Sequence, residues 1–112
     1  MKRPVLTRRL TLETRQRIAD GAGGFLETWA SLGHLWADVT ARGGKERADA
    51  AVPISATRHR IVVRAAPVGA LSRPNATQRF REGSRLFAIR AVTELDAQAR
   101  YLICDCEEEE TV

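Results

Sequence analysis

The sequence predicts an all-β domain, a small antiparallel β-barrel or sandwich of about six strands. Short stretches alternate apolar with polar residues at a period of two, turns rich in glycine and proline separate them, and little of the chain reads as helix.

Leu10, Leu12 and Thr14 alternate with Arg9, Thr11, Glu13 and Arg15, which marks a first strand with one buried face. Asp20-Gly21 and Gly23-Gly24 then supply the positive φ angles of a hairpin connection. A second strand runs from about Phe25 to Thr40 and carries both tryptophans, Trp29 and Trp36, as core or interface anchors. Residues 41–55 lose the alternation, open on Gly43-Gly44 and end near Pro53, so they form a long loop, with a turn or two of helix available to Lys45 through Ala51.

A third strand over Thr57 to Ala65 puts Thr57, His59, Ile61 and Val63 on one face. Arg58, Arg60, Val62 and Arg64 lie on the other, the clearest basic stripe of the chain. Residues 66–78 hold Pro67, Gly69, Pro74 and Asn75 and read as an exposed connection. A short strand around Phe80, a turn at Glu82-Gly83, an apolar strand from Leu86 to Val92, a turn from Leu95 to Ala99 and a last strand from Tyr101 to Cys106 complete the series. The Leu86 to Val92 run is apolar on both faces, as a central strand is.

At 112 residues the chain makes one domain with little room for an enclosed active-site cleft. No run approaches the length of a membrane span, and the charged N-terminus has no secretory apolar core, so a cytoplasmic location is expected, with no membrane contact. The net charge of +4 hides an asymmetry: Asp105 and Glu107 to Glu110 carry five of the 14 acidic charges, leaving residues 1–104 at +9. A basic body with an acidic end can approach nucleic acid phosphates, or it can associate head to tail with its own copies.

Chemistry is hard to find. His34 and His59 are the only histidines and do not share a ligand spacing, so no metal site is expected. Cys104 and Cys106 face the same side of one strand, a spacing unsuited to a relaxed disulfide, and read as buried thiols. The glycines of DGAGG lack the Gly-Lys-Ser/Thr ending of a phosphate loop, and no serine sits in a nucleophile turn, so neither an enzyme nor a cofactor is expected. Arg58, Arg60 and Arg64 could track a phosphate backbone, but almost no aromatic residues interleave with them for base stacking.

A set of residues spread along most of the chain goes further. It comprises Arg9, Leu10 and Leu12; the Asp20 to Gly24 turn; Glu27-Thr28-Trp29 and Leu35-Trp36-Ala37; Gly44 with Glu46; and His59-Arg60-Ile61 with Arg64. It closes on Arg79-Phe80, Gly83, Leu86-Phe87, Ile89, Tyr101-Leu102 and Cys104. In this order they resemble the head-closure, head-tail joining or stopper proteins of tailed bacteriophages and of the phage-like gene transfer particles some bacteria make. The departures are a charged, alanine-rich stretch from Lys45 to Ala51 and a stronger acidic end.

The resemblance implies one connector β-barrel over residues 1–112, with a basic arm at about 1–7 and an acidic tail at about 107–112. It implies a homo-oligomeric ring in the particle neck, below the portal or adaptor ring and above a tail terminator or tail protein, closing the packaged head and retaining DNA by non-specific contact. The loop after the second strand would then point into the channel; here it comprises Gly43, Gly44, Lys45, Glu46, Arg47, Ala48, Asp49, Ala50, Ala51, Val52 and Pro53. Arg58, Arg60 and Arg64 are candidates for DNA or subunit contact, and Glu107, Glu108, Glu109 and Glu110 for a subunit interface. The alternative is a free, sequence-independent nucleic-acid-binding β-barrel, resting on the arginine stripe alone.

Overall fold

Alternation at Leu10 and Leu12 sets the first strand, and the computed structural model extends it to Arg8–Ala19 (β1). It describes residues 3–42 and 57–109, so the expected channel loop at 43–53, the short helix at 45–51 and Glu110 lie outside the described residues. The other strands are β2 (Phe25–Arg42), β3 (Thr57–Arg64), β4 (Arg79–Glu82), β5 (Arg85–Glu94) and β6 (Tyr101–Glu109). All pair antiparallel in the order β1-β2-β3-β6-β5-β4, and the pairing of β4 with β1 closes the barrel. No helix occurs among the described residues.

The inward residues of all six strands meet in one core. Leu10, Leu12, Ala37, Ile61, Val63, Phe80, Phe87, Ile89 and Leu102 are buried with Cys104 and Cys106, and Leu35 and Val39 pack against them. Both cysteines are free thiols. Burial in this apolar setting pushes Cys104 up to about 12 and raises Cys106 further, so both stay protonated. Trp36, read from the sequence as an anchor in the core or an interface, is 56% exposed and is no part of this core. Its neighbours Leu35 and Ala37 take the inward positions of β2, and alternation turns Trp36 outward.

Glycine acts where the turns demand it. The β1–β2 connection has positive φ at Gly21 and Gly23 but not at Gly24, where the sequence also places one. The Asp20 carboxylate accepts hydrogen bonds from the N–H groups of Ala22 and Gly24, and those bonds hold it below its ordinary range. Gly83 (φ 61°) opens the two-residue β4–β5 turn, at the position where a type II′ turn requires glycine.

Two irregularities adjust the ladder. Between Leu12 and Glu13 the register skips Leu32, so the pairing moves from Leu12 with Gly33 to Glu13 with Ser31. Between Ile89 and Ala91 it skips Arg90, whose Nε donates to Glu107 at 3.0 Å.

The pairings leave part of the β1–β2 hairpin outside the barrel. β1 meets β4 only at residues 11–13, and β2 meets β3 only at residues 37–42. Beyond Glu13, therefore, β1 and β2 run on as a two-stranded ribbon, Thr14 paired with Ala30 through to Ala19 with Phe25.

Candidate functional site

Strand alternation gives the ribbon two unlike faces. Arg15, Arg17, Glu27, Phe25 and Trp29 share one, continuous with the outer side of the barrel, while Thr14, Gln16, Ile18, Leu26, Thr28 and Ala30 form an uncharged one. Arg17 stacks over Phe25 at 4.3 Å and Arg15 over Trp29 at 5.4 Å. Ile18 and Leu26 remain 46% and 58% exposed, and Phe25 58%.

A polar clasp joins the ribbon to the barrel. Glu13 on β1 and Arg79 on β4 are cross-strand partners, and Arg79 Nε donates to Glu13 Oε1 at 2.7 Å. Arg81 Nε donates to the other carboxylate oxygen at 2.9 Å, and the Arg79 guanidinium lies 4.0 Å from the Trp29 ring centroid. Burial works to raise the Glu13 carboxyl, but hydrogen bonds and charge from Arg79 and Arg81 outweigh it and hold the group below its ordinary range. Sequence reasoning missed this clasp because Glu13 and Arg79 are 66 residues apart and each alone reads as a surface charge.

The stripe of Arg58, Arg60 and Arg64 lies on the outer face of β3, where Arg58 is level with Arg42 of β2 but the neighbours on β6 are not basic. Arg58 is level with Glu107, Arg60 with Asp105 and Arg64 with Tyr101 across the β3–β6 ladder. The positive stripe thus runs beside the acidic strand, which reduces its field toward a phosphate backbone. Arg60 also lines a cleft of about 480 Å³ with Arg3, Pro4, Val5, Asp38, Thr40, Val62 and Leu95, and its Nε is buried without a hydrogen-bond partner among the described residues.

The acidic end is structured further than its composition suggests. The last strand, expected to stop at Cys106, continues through Glu107, Glu108 and Glu109 as part of β6. Arginines on β5 make this possible: Arg85 donates twice to Glu108, at 2.8 and 2.9 Å, and Arg90 meets Glu107. Hydrogen bonding from Arg85 holds Glu108 below the usual carboxylate range, and hydrogen bonding from Arg8 does the same for Glu82. Arg8 Nε donates to Glu82 Oε2 at 2.9 Å, tying β1 to the end of β4.

Among the described residues neither histidine joins a metal or catalytic cluster. His59 is buried, edge-on to Phe87 with ring centroids 5.0 Å apart, and its Nε2 is 3.7 Å from Glu108. His34 Nδ1 pairs with the Thr11 hydroxyl at 3.0 Å. No group of three candidate metal ligands occurs among the described residues.

What the geometry offers is a rigid closed barrel with charged outer faces and a projecting ribbon, the equipment of an assembly component. The model of the phage head completion protein family matches residues 1–109, and the chain belongs to that family. It is a structural protein of head completion and not an enzyme. A subunit in the virion of a native gene transfer agent particle is 51% identical, with 98% of this chain and 100% of that chain covered and a TM-score of 0.80. A protein of Shigella flexneri 2a solved in solution is 30% identical over 96% of each chain, with a TM-score of 0.68. A search of curated proteins found no match.

Proposed function

We propose that copies of this chain form a ring in the neck of a phage or phage-like particle, between the portal or adaptor ring and the tail, closing the head after DNA is packaged. The observation that carries this is the nearly end-to-end match, at 51% identity, to a subunit of an assembled gene transfer agent virion. Symmetry supports it physically, since a ring multiplies weak contacts between rigid copies. In this scheme the loop at 43–53 leaves the barrel at the end of β2, reaches the bore and retains DNA by contacts independent of sequence. Assembly begins in the bacterial cytoplasm and ends in the particle.

Glu107 to Glu110 and Arg58, Arg60 and Arg64 remain the charged candidates for contact between copies or with DNA. Glu107 and Glu108 already hold Arg90 and Arg85, so a neighbouring copy would have to share them. The free nucleic-acid-binding alternative is not favoured, because the arginine stripe has acidic residues level with it on β6.

Deleting the gene and imaging the particles tests the proposal. Filled or leaking heads without tails are the expected result. Tailed, infective or transfer-competent particles of normal appearance would remove it.

A further inference from the structure

The projecting ribbon has two open backbone edges. Thr14 to Ala19 of β1 and Phe25 to Ala30 of β2 pair only with each other among the described residues. The edges are equal in length, six residues each, and neither contains proline or a bulge, two usual means of blocking a sheet edge; their charges, Arg15 and Arg17 on β1 and Glu27 on β2, are opposite in sign. A two-stranded ribbon is marginal by itself in water, so this one is built to be supported from outside.

We infer that the β1 edge of one copy pairs antiparallel with the β2 edge of the next, so that ribbons join side by side into a continuous sheet. This rests on the ring reading and specifies its subunit contact.

Backbone phase favours a second copy as the occupant. The Asp20 N–H donates to the Gly24 carbonyl at 3.1 Å, which sets the alternation of the hairpin ladder. Counting from that pair, Arg15, Arg17 and Ala19 direct their N–H and C=O groups away from β2, and Phe25, Glu27 and Trp29 direct theirs away from β1. Those outward groups lie at matching levels, because Arg17 is partnered with Glu27 and Arg15 with Trp29. Rotation about an axis along the ribbon therefore brings donors and acceptors of the two edges into register.

Charge selects the same arrangement. At the matched level Arg17 of one copy meets Glu27 of the next, and opposite charges repeat around the ring. Two β1 edges meeting about a twofold axis would instead bring Arg15 and Arg17 against their own equivalents, a like-charge contact. The favoured contact uses two different edges, so it propagates from copy to copy as a ring requires.

Cysteine capture between chains tests it. Gln16 and Thr28 are partners within one chain, so Gln16→Cys and Thr28→Cys are placed on separate copies and co-expressed in cells assembling the particle. Between copies this level is a non-hydrogen-bonded pair, where Cα atoms approach within disulfide range. A covalent pair on a non-reducing gel of purified particles is expected, absent when either variant is used alone. A neck containing several copies but no covalent pair would overturn the edge contact and leave the ring intact; a neck with a single copy would overturn both. Arg17→Glu is expected to weaken incorporation at least about tenfold, the factor of one clear like-charge contact, with Glu27→Arg restoring it in the double variant. Full incorporation of Arg17→Glu alone would also count against the contact.

Discussion

Arg79 is held between Glu13, at 2.7 Å, and the face of Trp29, at 4.0 Å, so one guanidinium joins three strands where the ribbon leaves the barrel. The Glu13 and Arg79 side chains are only 9% and 10% exposed, which places the ion pair where removal of one charge strands the other. Glu13→Ala is expected to destabilise the fold by about 3 kcal/mol, with Arg79 left buried and unpaired. Urea unfolding of the two proteins measures this; a loss below about 1 kcal/mol would mean that water reaches Arg79 in the variant.

The two tryptophans should respond differently to truncation. Trp36 is 56% exposed, so Trp36→Ala is expected to cost less than about 1 kcal/mol instead of the roughly 3 kcal/mol of a buried aromatic. Trp29 is half-buried and stacked by Arg79 and Arg15, and Trp29→Ala is expected to cost about 2 kcal/mol. Thermal unfolding of both variants checks the order; equal losses would contradict it.

Local features of the barrel were legible, while its closure was not. The alternation of Leu10 with Leu12 and of His59, Ile61 and Val63 gives the strands and their inward faces directly, because side chains on a strand repeat every two residues. Pairing of β4 with β1 and of β3 with β6 joins segments far apart in sequence, and no local pattern encodes it. The same distance hides the Glu13–Arg79 clasp. Four successive glutamates read as an acidic tail beyond a last strand ending at Cys106, yet β6 runs through three of them because Arg85 and Arg90 on the neighbouring strand neutralise two. For Trp36, read as a core or interface anchor, phase along β2 removes the core and leaves the interface.

Acid should loosen the barrel through three carboxylates. Glu13, Glu82 and Glu108 each titrate below the ordinary 4.5 in the folded protein, so each stabilises the fold fully above that value and ceases to as the pH falls through its lower folded value. The urea midpoint is expected to hold from pH 7 to about 5 and to fall steadily below 4.5. Glu13→Gln should flatten that fall; an unchanged pH profile in the variant would exclude Glu13 as a contributor.

The two thiols should be inert while the barrel is closed. Cys104 is fully buried and its thiol is pushed up to about 12 by that burial, leaving almost no thiolate at neutral pH. Iodoacetamide at pH 8 is expected to modify neither cysteine in the native protein and both in urea, as mass spectrometry would show. Labelling of the native protein as fast as of the unfolded chain would mean that β6 opens readily from β3 and β5.

Ala99 offers a stabilising change. It sits at φ 53°, in the left-handed region that costs a residue with a Cβ about 1–2 kcal/mol, inside the turn closed by its own N–H donating to the Asp96 carbonyl at 3.0 Å. Glycine removes that cost but adds freedom to the unfolded chain worth about 0.4–1 kcal/mol. The difference favours Ala99→Gly by about 0.5–1 kcal/mol. Its unfolding temperature should rise by a few degrees for a domain of this size. A fall would show that the methyl group, which lines the shallow cleft beside Pro67, Val68 and Glu94, contributes more through packing than its backbone conformation costs.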